Sequence, residues 1–230
     1  MTKMRGPPNS ACRHALLAAL AIALGCASSP RAVPRPAAPP APPERGTFNL
    51  RQGTTVVITE RFTRTDTLLV ADLVVVNGPR STYSARLNPD GSVASIEVRE
   101  YAVAAARDAQ PSAVVTANFA GDSVIVTRGR EVARVRLPAG TVAYVNPSPS
   151  LMAQLVLRAR AIGGDDVSVP FWVPDAGGQP STARVRLAPT GAHLVLGGID
   201  VMLEFDARGR LTGGSVPMQN ITIERTDGTD

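Results

Sequence analysis

YSARLNPDGSVASIEVR, residues Tyr83 to Arg99, decides the fold. Tyr83, Ala85 and Leu87 alternate with Ser84 and Arg86, and Ala94, Ile96 and Val98 alternate with Ser95, Glu97 and Arg99. Period-two alternation of apolar and polar residues marks strands with one dry and one wet face. Between the two runs stands Asn88-Pro89-Asp90-Gly91, residue types suited to a tight reversal. The stretch predicts a β-hairpin, with Arg86 and Glu97 as an expected cross-strand charge pair on the wet face.

The same pattern recurs on both sides. Ala133, Val135 and Leu137 alternate with Arg134 and Arg136 and end at Pro138-Ala139-Gly140; Ala183, Val185 and Leu187 alternate with Arg184 and Arg186 and end at Pro189-Thr190-Gly191. Val201, Leu203 and Phe205 lead into Asp206-Ala207-Arg208-Gly209, with another strand starting near Leu211. The endings ARLNPDG, VRLPAG and VRLAPTG are unequally spaced, which points to recurring hairpin chemistry rather than duplicated modules. Further strands are predicted at 48–53, 55–63, 67–77, 113–119, 122–128, 141–145, 167–173, 193–197 and 219–225. REYAVAAARDA (99–109) reads as a strand end followed by a loop or a helical turn. The expectation is an all-β, mainly antiparallel protein without βαβ crossovers, whose meander curls or closes to protect its edges.

One segment departs from this period. After Pro147-Ser148-Pro149-Ser150, the run LMAQLVLRARAI carries a broad apolar stripe through Leu151, Met152, Leu155, Val156, Ala159 and Ile162. Ser148 or Ser150 can cap it, Arg158 and Arg160 suit its C-terminal end, and Gly163-Gly164 stops it. A single helix over about 150–162 is predicted, packed over one end or the open face of the sheet.

The N-terminal end has the layout of an export signal over residues 1–25. Lys3, Arg5 and Arg13 precede a ten-residue apolar run, Ala15 to Leu24, too short to anchor as a bilayer span. Ala23-Leu24-Gly25-Cys26 resembles a bacterial lipobox, with its leucine one place later than usual; an ordinary signal cut near Ala27 is the alternative. The resemblance implies an acylated Cys26 and sorting to the outer membrane. Pro30 to Pro43 holds seven prolines in fourteen residues. Such a run favours extended polyproline geometry, about 3 Å per residue, and makes 26–45 a tether ahead of a single β-rich domain, 46–230.

Beyond the signal and tether the charge is balanced. From Gly46 onwards eighteen arginines face eighteen aspartates and glutamates, and the chain's one lysine is Lys3. With no arginine cluster, aromatic platform or zinc spacing, nucleic acid is not an expected partner. Cys12 and Cys26 are the only cysteines, so no disulfide framework is available to the domain and packing alone must stabilise it.

Residues for catalysis are sparse. His193, in GAHLVLGG, is the one histidine after the signal, and it reads foremost as a solvated or hydrogen-bonded strand residue. Ser92 and Ser215 lack the second glycine of a nucleophile elbow, so a hydrolase is the least favoured reading. Glu60, Glu97, Glu100 and Glu204 are carboxylates that a glycosidase pair would need, with nothing in the sequence to bring two of them together. Asp165-Asp166 reads as a solvated loop rather than an oxygen-only calcium site. No cofactor and no metal are expected. Phe171 and Trp172, adjacent in VPFWVPD, point to opposite faces if they lie on a strand, placing one ring in the core and the other at a cavity or in solvent.

In layout, from Gly46 to about Glu224, the chain resembles the outer-membrane lipoprotein carrier and receptor proteins, periplasmic domains built on one large curled antiparallel sheet. No motif transfers residue by residue. The resemblance implies a half-open barrel whose apolar concave side accepts acyl chains beneath a helical lid, here 150–162, with Leu155, Val156, Phe171 and Trp172 as candidate lining residues. The expected partners are the bacterial membrane through Cys26, a lipid or other apolar molecule, or an envelope protein. The alternative is a structural or protein-interaction lipoprotein without a cavity.

Overall fold

The computed structural model describes residues 42–174 and 178–227; the signal segment, Cys26 and nearly all of the proline tether lie outside them. The N-terminal meander comprises β1 (Glu44–Gln52), β2 (Thr55–Arg64), β3 (Leu68–Val75), β4 (Arg80–Leu87), β5 (Val93–Tyr101), β6 (Ala113–Ala120), β7 (Ser123–Arg128) and β8 (Glu131–Arg136). A two-residue β9 (Val142–Ala143) leads into α1 (Pro149–Ile162). The C-terminal meander follows: β10 (Asp166–Trp172), β11 (Ser181–Ala188), β12 (Gly191–Leu196), β13 (Ile199–Phe205), β14 (Leu211–Val216), a 3-10 turn (Pro217–Gln219) and β15 (Ile221–Thr226).

All fifteen strands join one sheet, in the order β8 through β1, then β15 back to β9. The first strand pairs with the last, Leu50 opposite Ile223, so the two meanders meet at the centre of the sheet. Every neighbouring pair but one is antiparallel. The exception is β9–β10, a parallel pair of two bridges for which α1 is the crossover. The expectation of no βαβ unit is corrected at this point: the strand expected at 141–145 forms as two residues only and pairs in parallel with β10, and the helix between them runs through the interior instead of covering an outer face.

The sheet does not close, as expected for a half-open barrel. Its edges are β8 and β9, yet only Leu137 to Thr141 separate those strands in sequence. Six residue steps span at most about 21 Å, which forces the two edges toward each other and bends the sheet around its interior. Side chains rather than ladder hydrogen bonds bridge the seam. Phe119 of β6 meets Trp172 of β10 edge-to-face, centroids 6.2 Å apart, and Arg128 of β7 donates to the Pro174 carbonyl. Glu131, Arg134 and Arg136 blunt the β8 edge against further pairing.

Inside the curl lie the apolar faces of the strands and, among them, α1. Its residues 149–156 are all buried, so it fills the concavity as a plug rather than covering it as a lid. Ser148 caps it, its hydroxyl accepting from Leu151 N at 3.1 Å, and Gly163 ends it at φ 87°. The hairpin of residues 83–99 forms with one adjustment. Leu87 pairs with Val93 and Arg86 with Ser95, so Ala94 is the extra residue of a bulge and Val93 takes the inward place expected for Ala94. Glu97 therefore stands opposite Ser84, and its ion pair is with Arg99 at 2.8 Å instead of Arg86.

Trp172 is 1% exposed and its indole Nε1 donates to the Gly178 carbonyl at 3.0 Å. Truncating it to alanine removes the main apolar contact across the seam and is expected to cost about 3–5 kcal/mol, read as a lowered urea midpoint in equilibrium unfolding.

Candidate functional site

The inner face of β2 reads Ile58, Glu60, Phe62, Arg64. Two of these four are charged, an unusual content for a strand face that looks into a core. Glu60 is fully buried. One carboxylate oxygen accepts from the Tyr83 hydroxyl and from the Ser148 hydroxyl, both at 2.6 Å; the other accepts from Ser150 N at 3.0 Å. The carboxylate thus supplements the Ser148 cap at the first turn of α1, where backbone amides lack intrahelical partners and the helix dipole favours negative charge. Burial raises the Glu60 carboxyl above its ordinary value of 4.5, and the hydrogen bonds from Ser148, Tyr83 and Ser150 offset part of that rise. Burial, with Glu60 beside it, likewise raises the Tyr83 phenol.

This cluster divides the interior into two cavities along β2. On the Ile58 side lies a cavity of about 520 Å³, lined among others by Leu50, Ile58, Met152, Phe171, Val173, Leu196, Val201 and Ile221. On the Phe62 side lies one of about 460 Å³ with a different lining: Phe62, Arg64, Gln154, Arg208, Arg210 and Arg225 beside Glu44 and Asp66. Ile58 to Arg64 is about 20 Å of strand, so the two openings face opposite ends of the curl.

The second cavity is held together by polar contacts of α1. Gln154, 1% exposed, accepts from Arg64 Nη2 at 2.6 Å and donates to the Gly91 carbonyl at 2.7 Å. Gly91 has φ +78°, and a Cβ there would stand 2.8 Å from Arg158 N, so the Asn88–Gly91 turn is also the seat on which α1 rests. Arg158 donates from Nη1 to Asp90 Oδ2 at 2.8 Å, tying the same turn to the helix. Arg225 lies 5.3 Å over the Phe62 ring, which stacks on Phe48 at 5.1 Å, and donates to Glu44 at 2.6 Å. Desolvation holds the Arg64 guanidinium below its ordinary value, against the opposing pull of Glu44.

The residues expected from sequence fall as follows. Phe171 lines the apolar cavity and packs edge-to-face on Tyr144, centroids 5.9 Å apart. Trp172 faces the seam. Leu155 and Val156 are fully buried core residues that line neither of the two large cavities. His193 lies on β12 with Nε2 2.6 Å from Asp200 Oδ1 across the ladder, away from both cavities. Asp166 is engaged by Arg184 at 2.7 Å and Arg186 at 3.3 Å. Cys26 is outside the described residues. Glu60, considered above only as one of four carboxylates for a glycosidase pair, instead meets Tyr83, Ser148 and Ser150, and Arg64 is a site residue not among those expected from sequence. The signal for Glu60 was present in the alternating strand 55–63, where it shares the phase of Ile58 and Phe62; Arg64 lies one residue past those bounds and joins that face because β2 runs on to it.

Glu60→Ala leaves the Ser150 amide and two hydroxyls without their acceptor and is expected to cost about 3 kcal/mol in unfolding free energy. Glu60→Gln keeps the shape and removes the titration. Because the folded-state value is raised, the native protein holds the Glu60 proton where the unfolded chain has lost it. That contribution is fully present below about pH 4.5 and is lost as pH rises through the folded value. Melting curves from about pH 4 to about pH 8 should therefore show the stability of Glu60→Gln improving relative to wild type as pH rises.

Among known proteins, no family model and no curated relative matches this chain. Solved structures do. A DUF1089 family protein from Pseudomonas aeruginosa aligns with TM-score 0.54 and 12% identity, over 70% of this chain and 91% of that one. A beta-barrel-like protein of domain of unknown function DUF1849 from Brucella abortus aligns with TM-score 0.44 and 10% identity, over 81% of this chain and 95% of that one. At such identities the first likeness is one of fold, a curled β architecture shared with proteins of unknown function.

Proposed function

We propose that this protein is an exported envelope lipoprotein, tethered to the outer membrane through acylated Cys26, whose curled sheet binds a lipid or other apolar molecule. The observation that carries the reading is the cavity on the Ile58 side. Its volume, about 520 Å³, lies within the usual range of small-molecule sites, and its lining is dominated by aliphatic and aromatic side chains. An open apolar pocket of that size leaves the side chains of Leu50, Met152, Phe171 and Val201 facing water, and an apolar occupant would remove that surface from solvent. Ile199 on the lining is 39% exposed and Met218, next to Gln219 of the same lining, is 79% exposed. These place apolar surface at the opening, where such a ligand would enter. Anchoring by one cysteine and a proline spacer suits a domain that works near a membrane without spanning it.

Native mass spectrometry with solvent extraction, on protein purified from a bacterial envelope in a non-lipidic detergent, is expected to show one bound lipid-like molecule per chain. Ile221→Trp, which places a larger ring at a half-buried position on the lining, is expected to abolish that adduct while leaving the melting temperature within a few degrees. An adduct-free wild type, or an adduct unaffected by Ile221→Trp, overturns the cavity reading. For the anchor, Cys26→Ser is expected to abolish incorporation of labelled palmitate and release the protein from the membrane fraction.

A further inference from the structure

The arginine cavity on the Phe62 side has no part in binding an apolar molecule on the Ile58 side. Four guanidinium groups line it, and their neutralisation is uneven. Arg225 is satisfied by Glu44 at 2.6 Å and Asp227 at 2.8 Å, and Arg210 by Asp206 at 2.7 Å. Among the described residues, neither Arg64 nor Arg208 has a carboxylate within salt-bridge distance; Asp66, exposed, is the lining's other acid besides Glu44. Arg64 is half-buried, and its side-chain partner is the neutral amide of Gln154, itself 1% exposed and fixed by the Gly91 carbonyl.

Glu44 and Asp66 act on Arg64 only through space, and a desolvated cation whose hydrogen-bond partner is a neutral amide gains from an anion in direct contact. The geometry for that contact is specific. Gln154 takes one N–H of Arg64, leaving the rest of a planar five-donor fork in a cavity of about 460 Å³. Arg208, exposed on the Asp206–Gly209 turn, supplies a second free guanidinium on the same lining. Two unpaired guanidinium groups and a dry aromatic wall, Phe48 on Phe62, form a site for a planar or tetrahedral oxyanion.

We propose that this cavity is an oxyanion-binding site, taking a phosphate or carboxylate group through Arg64 and Arg208, with Gln154 as the residue that positions Arg64. The oxyanion comes either as a free ion or as the headgroup of an amphiphile. The test is an NMR titration of the protein as isolated, labelled at arginine Nε, with inorganic phosphate in one arm and dodecyl phosphate in the other.

Saturable shifts of Arg64 and Arg208 are expected, with affinity falling at least about tenfold in Arg64→Met. A similar fall is expected in Arg208→Ala, whose exposed turn position leaves the fold intact. Arg64→Lys, which keeps the charge but not the fork, should recover part of the loss. Shifts with phosphate alone assign a free oxyanion; shifts confined to dodecyl phosphate assign a headgroup. No saturable shift in either arm overturns the proposal. So does dodecyl phosphate binding that Arg64→Met and Arg208→Ala leave unchanged, a result that would still support the separate apolar cavity.

Discussion

A carboxylate meeting the first turn of a helix inside a dry sheet is the constraint on which this structure depends. The N-terminal amides of α1 are buried in the concavity, where water does not reach them, so protein acceptors must be supplied. Ser148 satisfies Leu151 N and Glu60 satisfies Ser150 N, while Tyr83 and Ser148 hydroxyls in turn satisfy Glu60. The network joins β2, β4 and the helix start. Breaking it by removing one member strands several buried groups at once. Burial that raises the carboxyl and donors that lower it act on the same group, which makes the helix anchor sensitive to pH without any histidine.

The curl that creates this interior comes from chain connectivity as much as from strand twist. Five residues join the two edges of a fifteen-stranded sheet, and register shifts at Leu50/Arg51, Arg86/Leu87 and Glu204/Phe205 add local bends on both meanders. Close approach is needed where the strands bend. At Gly214 a Cβ would collide with the Met202 carbonyl of the neighbouring strand. One helix cannot fill so wide a concavity, and the remainder is left as two cavities on either side of the Glu60 cluster.

Strand positions, hairpin turns and the helix were legible because each depends on local chemistry: alternation, Asn88-Pro89-Asp90-Gly91, Ser148 before Pro149, Gly163 after Ile162. What depends on tertiary placement was not. Ala94 is the extra residue of a bulge, and the register beyond it places Ser95 rather than Glu97 opposite Arg86, neither of which the alternation encodes. Both members of the β9–β10 pair were legible as strands, but their parallel pairing, two bridges long, has no local signal. Leu155 and Val156 share the apolar stripe of α1 with Met152, yet only Met152 of the three faces a cavity. Nothing in an apolar residue's identity distinguishes packing from lining. Glu60 was the readable exception, since charge in an inward phase contradicts burial and demands a partner.

The division of the interior constrains what can occupy it. The apolar cavity begins at Ile58 and the arginine cavity at Phe62, with Glu60 and its three donors between them on the same strand face. An amphiphile confined to the apolar side leaves the Glu60 network intact and meets no cation there. One that reached from Arg64 to Phe171 would have to pass the helix start and displace buried hydrogen bonds, each of which costs about 1–3 kcal/mol to leave unmade. Its new interactions in the second cavity would have to outweigh that loss. An occupant confined to one side, as each proposal requires, would leave that network intact, because the carboxylate that anchors the helix stands between the two cavities.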